Sequence, residues 1–248
     1  MSQMWKEYKT PFLLTVLIGL LINCVSIYFV SNSYTLQYEM DAWVQGSGLM
    51  DFVFPLFASA PFVWILFYKY KNDFIKYISL RISEKEFVIK EIAFMCMLSG
   101  MSIVIIYFVS LLVTLFAPFN FFLVNEGDLS THLFGEMQIK RPIVFGFLYS
   151  LFKGAIASLF TLFGAVFAMH AKNLFVVLFA PFLYAFIENF VTGILRIPQF
   201  SIYTSFIVNR IDPKSMEVIY LFVGPAVLML AIFITWKKYR SNEGHMNV

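Results

Sequence analysis

The chain has 248 residues, of which 60% are hydrophobic and only 13% charged, and Phe alone occurs 31 times. A soluble domain carries about 25% charged residues, so this chain cannot cover itself with polar surface in water, and lipid must solvate much of it. The net charge of +3 does not suggest a nucleic-acid binder; the basic residues sit in short loops, where they set membrane orientation.

A membrane-crossing helix needs about 20 mostly apolar residues, and six segments qualify: about 11–30, 49–67, 93–116, 143–169, 174–195 and 218–236. The first is too long for the apolar core of a signal peptide and no small-residue cleavage site follows it, so it reads as a retained helix. The fold class expected is an all-α integral membrane protein, with 1–248 as one membrane domain and neither a repeat nor a linker. An even number of spans puts both termini on one side. Twelve Lys and Arg fall on that side, including Lys6, Lys9, Lys172 and Lys237, against five on the other (Lys140, Arg141, Arg196, Arg210 and Lys214). The positive-inside rule therefore places both termini in the cytoplasm.

Between the first two spans, residues 31–48 form a short, polar, acidic outer loop with Glu39 and Asp41 and no Lys or Arg. Asp51, at the outer end of the second span, reads as an exposed interfacial carboxylate. Pro55, Pro61, Pro181 and the Gly224-Pro225 pair fall within spans, where neighbouring helices re-satisfy the freed backbone groups. They read as ordinary kinks, or as bends used when the protein changes state. Cys24 and Cys96 lie in apolar runs with no partner Cys or ligand His at metal-binding spacing.

The stretch Lys69 to Ile92 is the longest charged island, with six of the eighteen Lys and Arg residues. Phe74, Ile75, Tyr77 and Ile78 recur at helical spacing, flanked by Lys71, Lys76 and Arg81. Ser83 followed by Glu86 fits a capping box opening the third span. The island reads as a short helix, a turn at 81–83 and then the next helix, lying either on anionic lipid or in a groove on a partner protein.

The loop at 118–141 opens with Phe119, Phe121 and Phe122, which suit a membrane–water interface. Residues 197–215 are too apolar for a free loop and too few to cross. They are expected to dip into the outer leaflet as short re-entrant helices, with Phe200, Ile202, Tyr203, Phe206 and Ile207 as the buried side.

An ionisable residue within a span is costly and usually faces the bundle interior. Lys153 lies 11 residues past Pro142, about 16 Å along its helix. Glu188 lies 14 residues past Leu174, about 21 Å in from the opposite face. The two reach similar depth, so an intramembrane ion pair between Lys153 and Glu188 is expected, direct or through Asn189 or water. The alternative has Lys153 snorkelling outward and Glu188 at the mouth of a re-entrant turn. No phosphate-binding G-x-x-x-x-G-K-[ST], H-E-x-x-H or G-x-S-x-G occurs, and His132, His170 and His245 are scattered. No catalytic, metal or cofactor site is therefore expected in this chain.

Phe54, Pro55, Ala58, Ser59 and Pro61 spell F-P-x-x-A-S-x-P, and Phe74, Ile75, Lys76, Ile78, Arg81 and Ser83 follow as F-I-K-x-I-x-x-R-x-S. With the six-span layout, this resembles the ABC-2-type permeases, in particular a small bacterial branch that serves peptide export and lantibiotic self-protection. The motif covers residues 50–92, and the layout covers the whole chain. The branch often has an acidic residue and a glycine where Asn72 and Asp73 stand, which implies a different turn before the helix.

The resemblance implies a non-catalytic permease subunit in the bacterial cell membrane, homo- or heterodimeric with a second permease subunit. Two separate ATP-binding subunits, carrying ATP and Mg, would power it. The island (Phe74, Ile75, Lys76, Tyr77, Ile78 and Arg81) would be the coupling helix between the second and third spans. Phe54, Pro55, Phe57, Pro181, Phe182, Tyr184, Phe186 and Asn189 would border the translocation path, which suits an amphipathic or hydrophobic substrate such as an antimicrobial or toxin-like peptide. A lipid or drug exporter, a non-transporting sensor or scaffold, and a membrane-embedded enzyme are the competing readings.

Overall fold

The computed structural model describes residues 2–36, 38–72, 74, 77, 83–117, 133–211 and 215–246. They include the α-helices α1 (Ser2–Ser33), α2 (Glu39–Gly46), α3 (Gly48–Lys71), α4 (Glu84–Phe116), α5 (Gly135–Lys140), α6 (Pro142–His170), α7 (Leu174–Ile194), α8 (Ile202–Phe206) and α9 (Tyr220–Met246), and a short 3-10 helix at Pro198–Phe200. Six of these, α1, α3, α4, α6, α7 and α9, are long and apolar enough to cross a membrane, and the chain is a multi-pass membrane protein by that measure. Each expected span has its helix. α4 begins nine residues earlier than its apolar run, because Glu84 to Glu91 continue the same helix as a charged extension. At 33 residues and 1.5 Å per residue it is about 50 Å long, well beyond a hydrocarbon core of about 30 Å.

The helices run up and down. Tyr8 of α1, Lys69 of α3 and Glu91 of α4 meet at one end, and Tyr239 of α9 stacks on His170 of α6, next to the end of α3. We call this the terminal end and the opposite one, carrying α2, α5 and α8, the loop end. α3 and α6 are inner helices, with 56% and 61% of their apolar windows buried, whereas α7 has 17% and leaves most of its surface for lipid or a partner.

Small residues let the inner helices close. A Cβ on Gly100 would stand 3.0 Å from the Gly154 carbonyl oxygen, and one on Gly154 would stand 2.9 Å from that of Gly100. α4 and α6 thus cross backbone to backbone, the small-residue contact that replaces hydrophobic attraction in lipid. Ser158 donates to the Cys96 carbonyl at 2.8 Å across the same crossing, and Ser99 and Thr161 tie both helices to α3, each donating to the Ala58 carbonyl, at 2.7 and 2.8 Å.

The loop between α1 and α3 differs from its reading as a polar outer loop. Met40, Trp43 and Val44 stand at i, i+3 and i+4 on α2, and Met40, Ala42 and Trp43 are buried. α2 folds back as a plug over the loop end. Ser83 does sit at the N-cap of α4, but its side chain makes no capping bond. Glu86 pairs instead with Lys90 at 2.6 Å, one turn along, so the expected capping box does not form. Phe119, Phe121 and Phe122 lie outside the described residues.

Candidate functional site

A buried polar network lies at the loop end. Asp51 sits in the first turn of α3, where a carboxylate complements the helix dipole. Lys153, in the middle of α6, donates to its Oδ1 at 2.5 Å, and the Tyr107 hydroxyl donates to the same oxygen at 2.5 Å. The ammonium also stands 3.8 Å from the Tyr107 ring centroid and 4.8 Å from that of Tyr149. Lys153 is 1% and Asp51 2% exposed. Tyr149 donates to the Phe206 carbonyl at 2.5 Å and accepts the Val208 N–H at 3.2 Å. Trp43 Nε1 donates to the Tyr107 carbonyl and to Ser110 Oγ, both at 3.1 Å, and Asn23 Nδ2 donates to Ser110 Oγ at 2.8 Å. One network thus joins α1, α2, α3, α4, α6 and the α8 segment.

Two expectations are corrected here. Lys153 pairs with Asp51 and not with Glu188, because its face of α6 looks toward α3 and α4. Asp51 is buried rather than interfacial, because α2 and α8 cover what would otherwise be the wet end of α3.

Glu188 belongs to a second cluster. Its Oε2 accepts the Ile202 N–H at 3.1 Å and the Ser201 hydroxyl at 3.2 Å, so it caps the start of α8. Arg210 Nη1 donates to Ser201 Oγ at 3.0 Å and Thr204 Oγ1 at 3.2 Å, and its Nη2 bonds Asn189 Oδ1. Of the residues expected to bury the 197–215 segment, Ile202, Tyr203 and Phe206 are buried and Phe200 is exposed. Gly224 admits α8 closely: its N–H donates to Ser205 Oγ at 2.9 Å, and a Cβ there would meet the Ile202 backbone at 2.9 Å. Burial pushes the Tyr203 phenol up to about 12, and its hydroxyl donates to the Phe52 carbonyl at 3.0 Å. Burial likewise holds the Arg210 guanidinium below its ordinary value, with Glu188 opposing. The Tyr38 phenol is raised by burial and by neighbouring Asp41.

At the terminal end, Lys69 Nζ lies 2.6 Å from both Glu7 Oε2 and Glu91 Oε1, and the Tyr8 hydroxyl donates to Glu91 Oε1 at 2.6 Å. Glu91 is fully buried, and its Oε2 has no hydrogen-bond partner. Rings of Tyr8, Phe74 and Phe87 lie 5.6–6.0 Å from the ammonium. Of the island residues, Ile75, Lys76, Ile78 and Arg81 lie outside the described residues. Phe74 leans on Lys69 and is 39% exposed, whereas Tyr77 is 71% exposed.

The candidate path residues do not share one surface. Phe54 is a core residue stacked on Phe206 at 4.6 Å between ring centroids. Pro55 is buried, and its carbonyl accepts from Ser59. Pro181 is buried beside Gly164. Tyr184 packs edge-on to Phe163, and Asn189 accepts from Arg210. Phe57 lines a groove between α1 and α3. Only Phe182 and Phe186 come together, against Phe52 on the outer face of α3 and α7.

Both cysteines carry free thiols. Among the described residues, no group of three His, Cys, Asp or Glu stands together to hold a metal. No family model, curated protein or solved structure matches the chain.

Proposed function

We propose that this chain is the permease subunit of an ATP-driven ABC exporter in a bacterial cell membrane. In this reading the terminal end faces the cytoplasm, 197–215 is re-entrant at the outer face, and α7 contributes to the contact with a second permease subunit. ATP and Mg are bound by two separate ATPase subunits, and this chain catalyses nothing. The observation that most supports the reading is the end of α3. The inner helix carries Pro55 and Pro61, passes the Lys69 cluster and ends at Lys71, and Tyr77, six residues further along the chain, is exposed. An exposed ring a few residues past the end of an inner helix suits insertion into a partner groove. Motion of the partner would then reach α3 directly. The substrate class that suits these apolar helices is amphipathic or hydrophobic, such as a toxin-like peptide.

Co-purification tests this. The chain is expressed with the products of its neighbouring genes and captured in mild detergent. The expected outcome is an ATP-binding subunit at about one-to-one ratio, depleted by Tyr77→Ala. Capture of the chain alone, or with a partner that binds no ATP, would overturn the reading.

A further inference from the structure

The seam between α1 and α3 is open on its terminal-end half. Small side chains face each other there, Thr10 and Pro11 against Ala60 and Pro61, and leave a groove of about 510 Å³. Leu14, Ile18, Leu56 and Phe57 make its walls apolar. From Glu7 to Ile18, α1 rises about 16 Å, roughly a medium alkyl chain's length.

Glu7 and Trp64 also belong to a second hollow, of about 550 Å³, walled by Tyr68, Lys69, Asn72, Phe74 and Tyr77. The trough therefore continues into an aromatic, polar head region. Trp64 Nε1 is already spent on the Pro61 carbonyl at 2.9 Å, so the ring itself is what the residue offers.

Charge decides what head group fits. Among the described residues, Lys69 is the only cation lining either hollow, and two carboxylates, Glu7 and Glu91, stand within 2.6 Å of it. The cluster has one negative charge more than it neutralises, and one Glu91 oxygen is buried without a donor. A phosphate or carboxylate head would meet no free cation among the described lining residues. An ammonium would meet Glu7 and the open faces of Tyr68 and Tyr77.

We propose that this groove binds a single-chain cationic amphiphile, its alkyl chain in the trough between α1 and α3 and its ammonium against Glu7 and the Trp64, Tyr68 and Tyr77 rings. Binding needs this chain alone; that the ligand is transported cargo rests on the exporter reading.

The test uses the purified full-length chain in neutral maltoside micelles, with tryptophan emission as the readout. The probe is 2-bromododecyl-trimethylammonium, whose bromine lies beside the head group and quenches nearby rings. Saturable quenching is expected from this cation but not from 2-bromododecanoate, and it should be lost in Trp64→Phe. Glu7→Gln should weaken binding about tenfold, as loss of a charge-assisted contact does. Tyr77→Leu should weaken it about two- to fivefold, and because Tyr77 is exposed this variant leaves the bundle intact even if Glu7→Gln does not. Ala60→Leu, which fills the trough, should abolish saturation. Equal quenching by the anion, equally tight quenching by a brominated phosphatidylethanolamine, or unchanged affinity in both Glu7→Gln and Tyr77→Leu would each overturn the proposal. No ATPase enters the assay, so its failure leaves the co-purification result standing, and the reverse.

Discussion

α3 is tied by charge at both ends, and the two ties differ in kind. At the loop end one carboxylate meets one ammonium, both almost wholly buried, wrapped by the rings of Tyr107 and Tyr149. At the terminal end one ammonium serves two carboxylates, and the Glu7 side chain keeps 33% exposure. In hydrocarbon neither member of the first pair can stand alone, so that tie is a fixed point. Among the described residues the second is unbalanced, and it is wetted from one side, which leaves capacity for another cation. Between them Pro55 and Pro61 each remove a backbone donor from α3. The groove with α1 opens beside the second of these. A helix fixed at one end, weakened in the middle and adjustable at the other is suited to transmit a movement of its adjustable end.

The sharpest way to break this comparison is to remove one charge of the sealed pair. Lys153→Met leaves Asp51 buried and unpaired and should cost about 3–5 kcal/mol. Asp51→Leu should cost a similar amount. The double variant Asp51→Leu/Lys153→Met should recover most of the loss, since replacing a buried pair by apolar groups is often neutral. Thermal unfolding in detergent, followed by size-exclusion chromatography, reads all three. A double variant no more stable than either single one would mean that the pair does more than neutralise itself, with the Tyr107 bond the first place to look.

The terminal end should respond unevenly. Glu91→Gln alters a fully buried acceptor of Tyr8 and Lys69 and should cost about 1–3 kcal/mol. Glu7→Gln leaves Lys69 still paired to Glu91 and, being partly solvated, should cost about 1 kcal/mol or less. Equal losses from the two variants would show that the cluster is a matched unit like the one at the other end.

Much of this arrangement is legible in the chain. Long apolar runs gave all six spanning helices, and a lysine inside a span pointed to a buried network. The partner of Lys153 was harder to read, because depth along a helix can be counted from sequence but the direction a side chain faces cannot. Asp51 lies three residues from a helix start, where an acid ordinarily meets water or the dipole. Only the folding back of α2 and α8 makes the site dry. The sign of α2 was present in Met40, Trp43 and Val44 at helical spacing, but eight residues of mixed polarity carry little weight beside the spans. The mouth cluster was half visible: Glu188 and Asn189 stood out, whereas Arg210 sits in a loop where a basic residue signals orientation before it signals a bond. The α1–α3 groove has no sequence mark, since small residues and prolines in a span also serve close packing, as Gly100 and Gly154 do.

The smallest expected effect probes the cover over the sealed pair. Tyr203 reaches from α8 to the Phe52 carbonyl, one residue from Asp51. Tyr203→Phe removes a neutral hydrogen bond and should cost about 1 kcal/mol near neutral pH. The pH dependence carries a sign. An unfolded phenol ionises near pH 10, whereas that of Tyr203 in the folded chain does so only near 12. Between these values the unfolded chain holds fewer protons at this position, so its contribution to stability falls as pH rises. The variant lacks that loss. The gap between the unfolding midpoints of the native chain and Tyr203→Phe should therefore narrow from pH 9 toward pH 11. A gap that stays constant would mean that the phenol is as accessible as a surface tyrosine, and that α8 covers Asp51 less tightly than Lys153 and Tyr107 hold it.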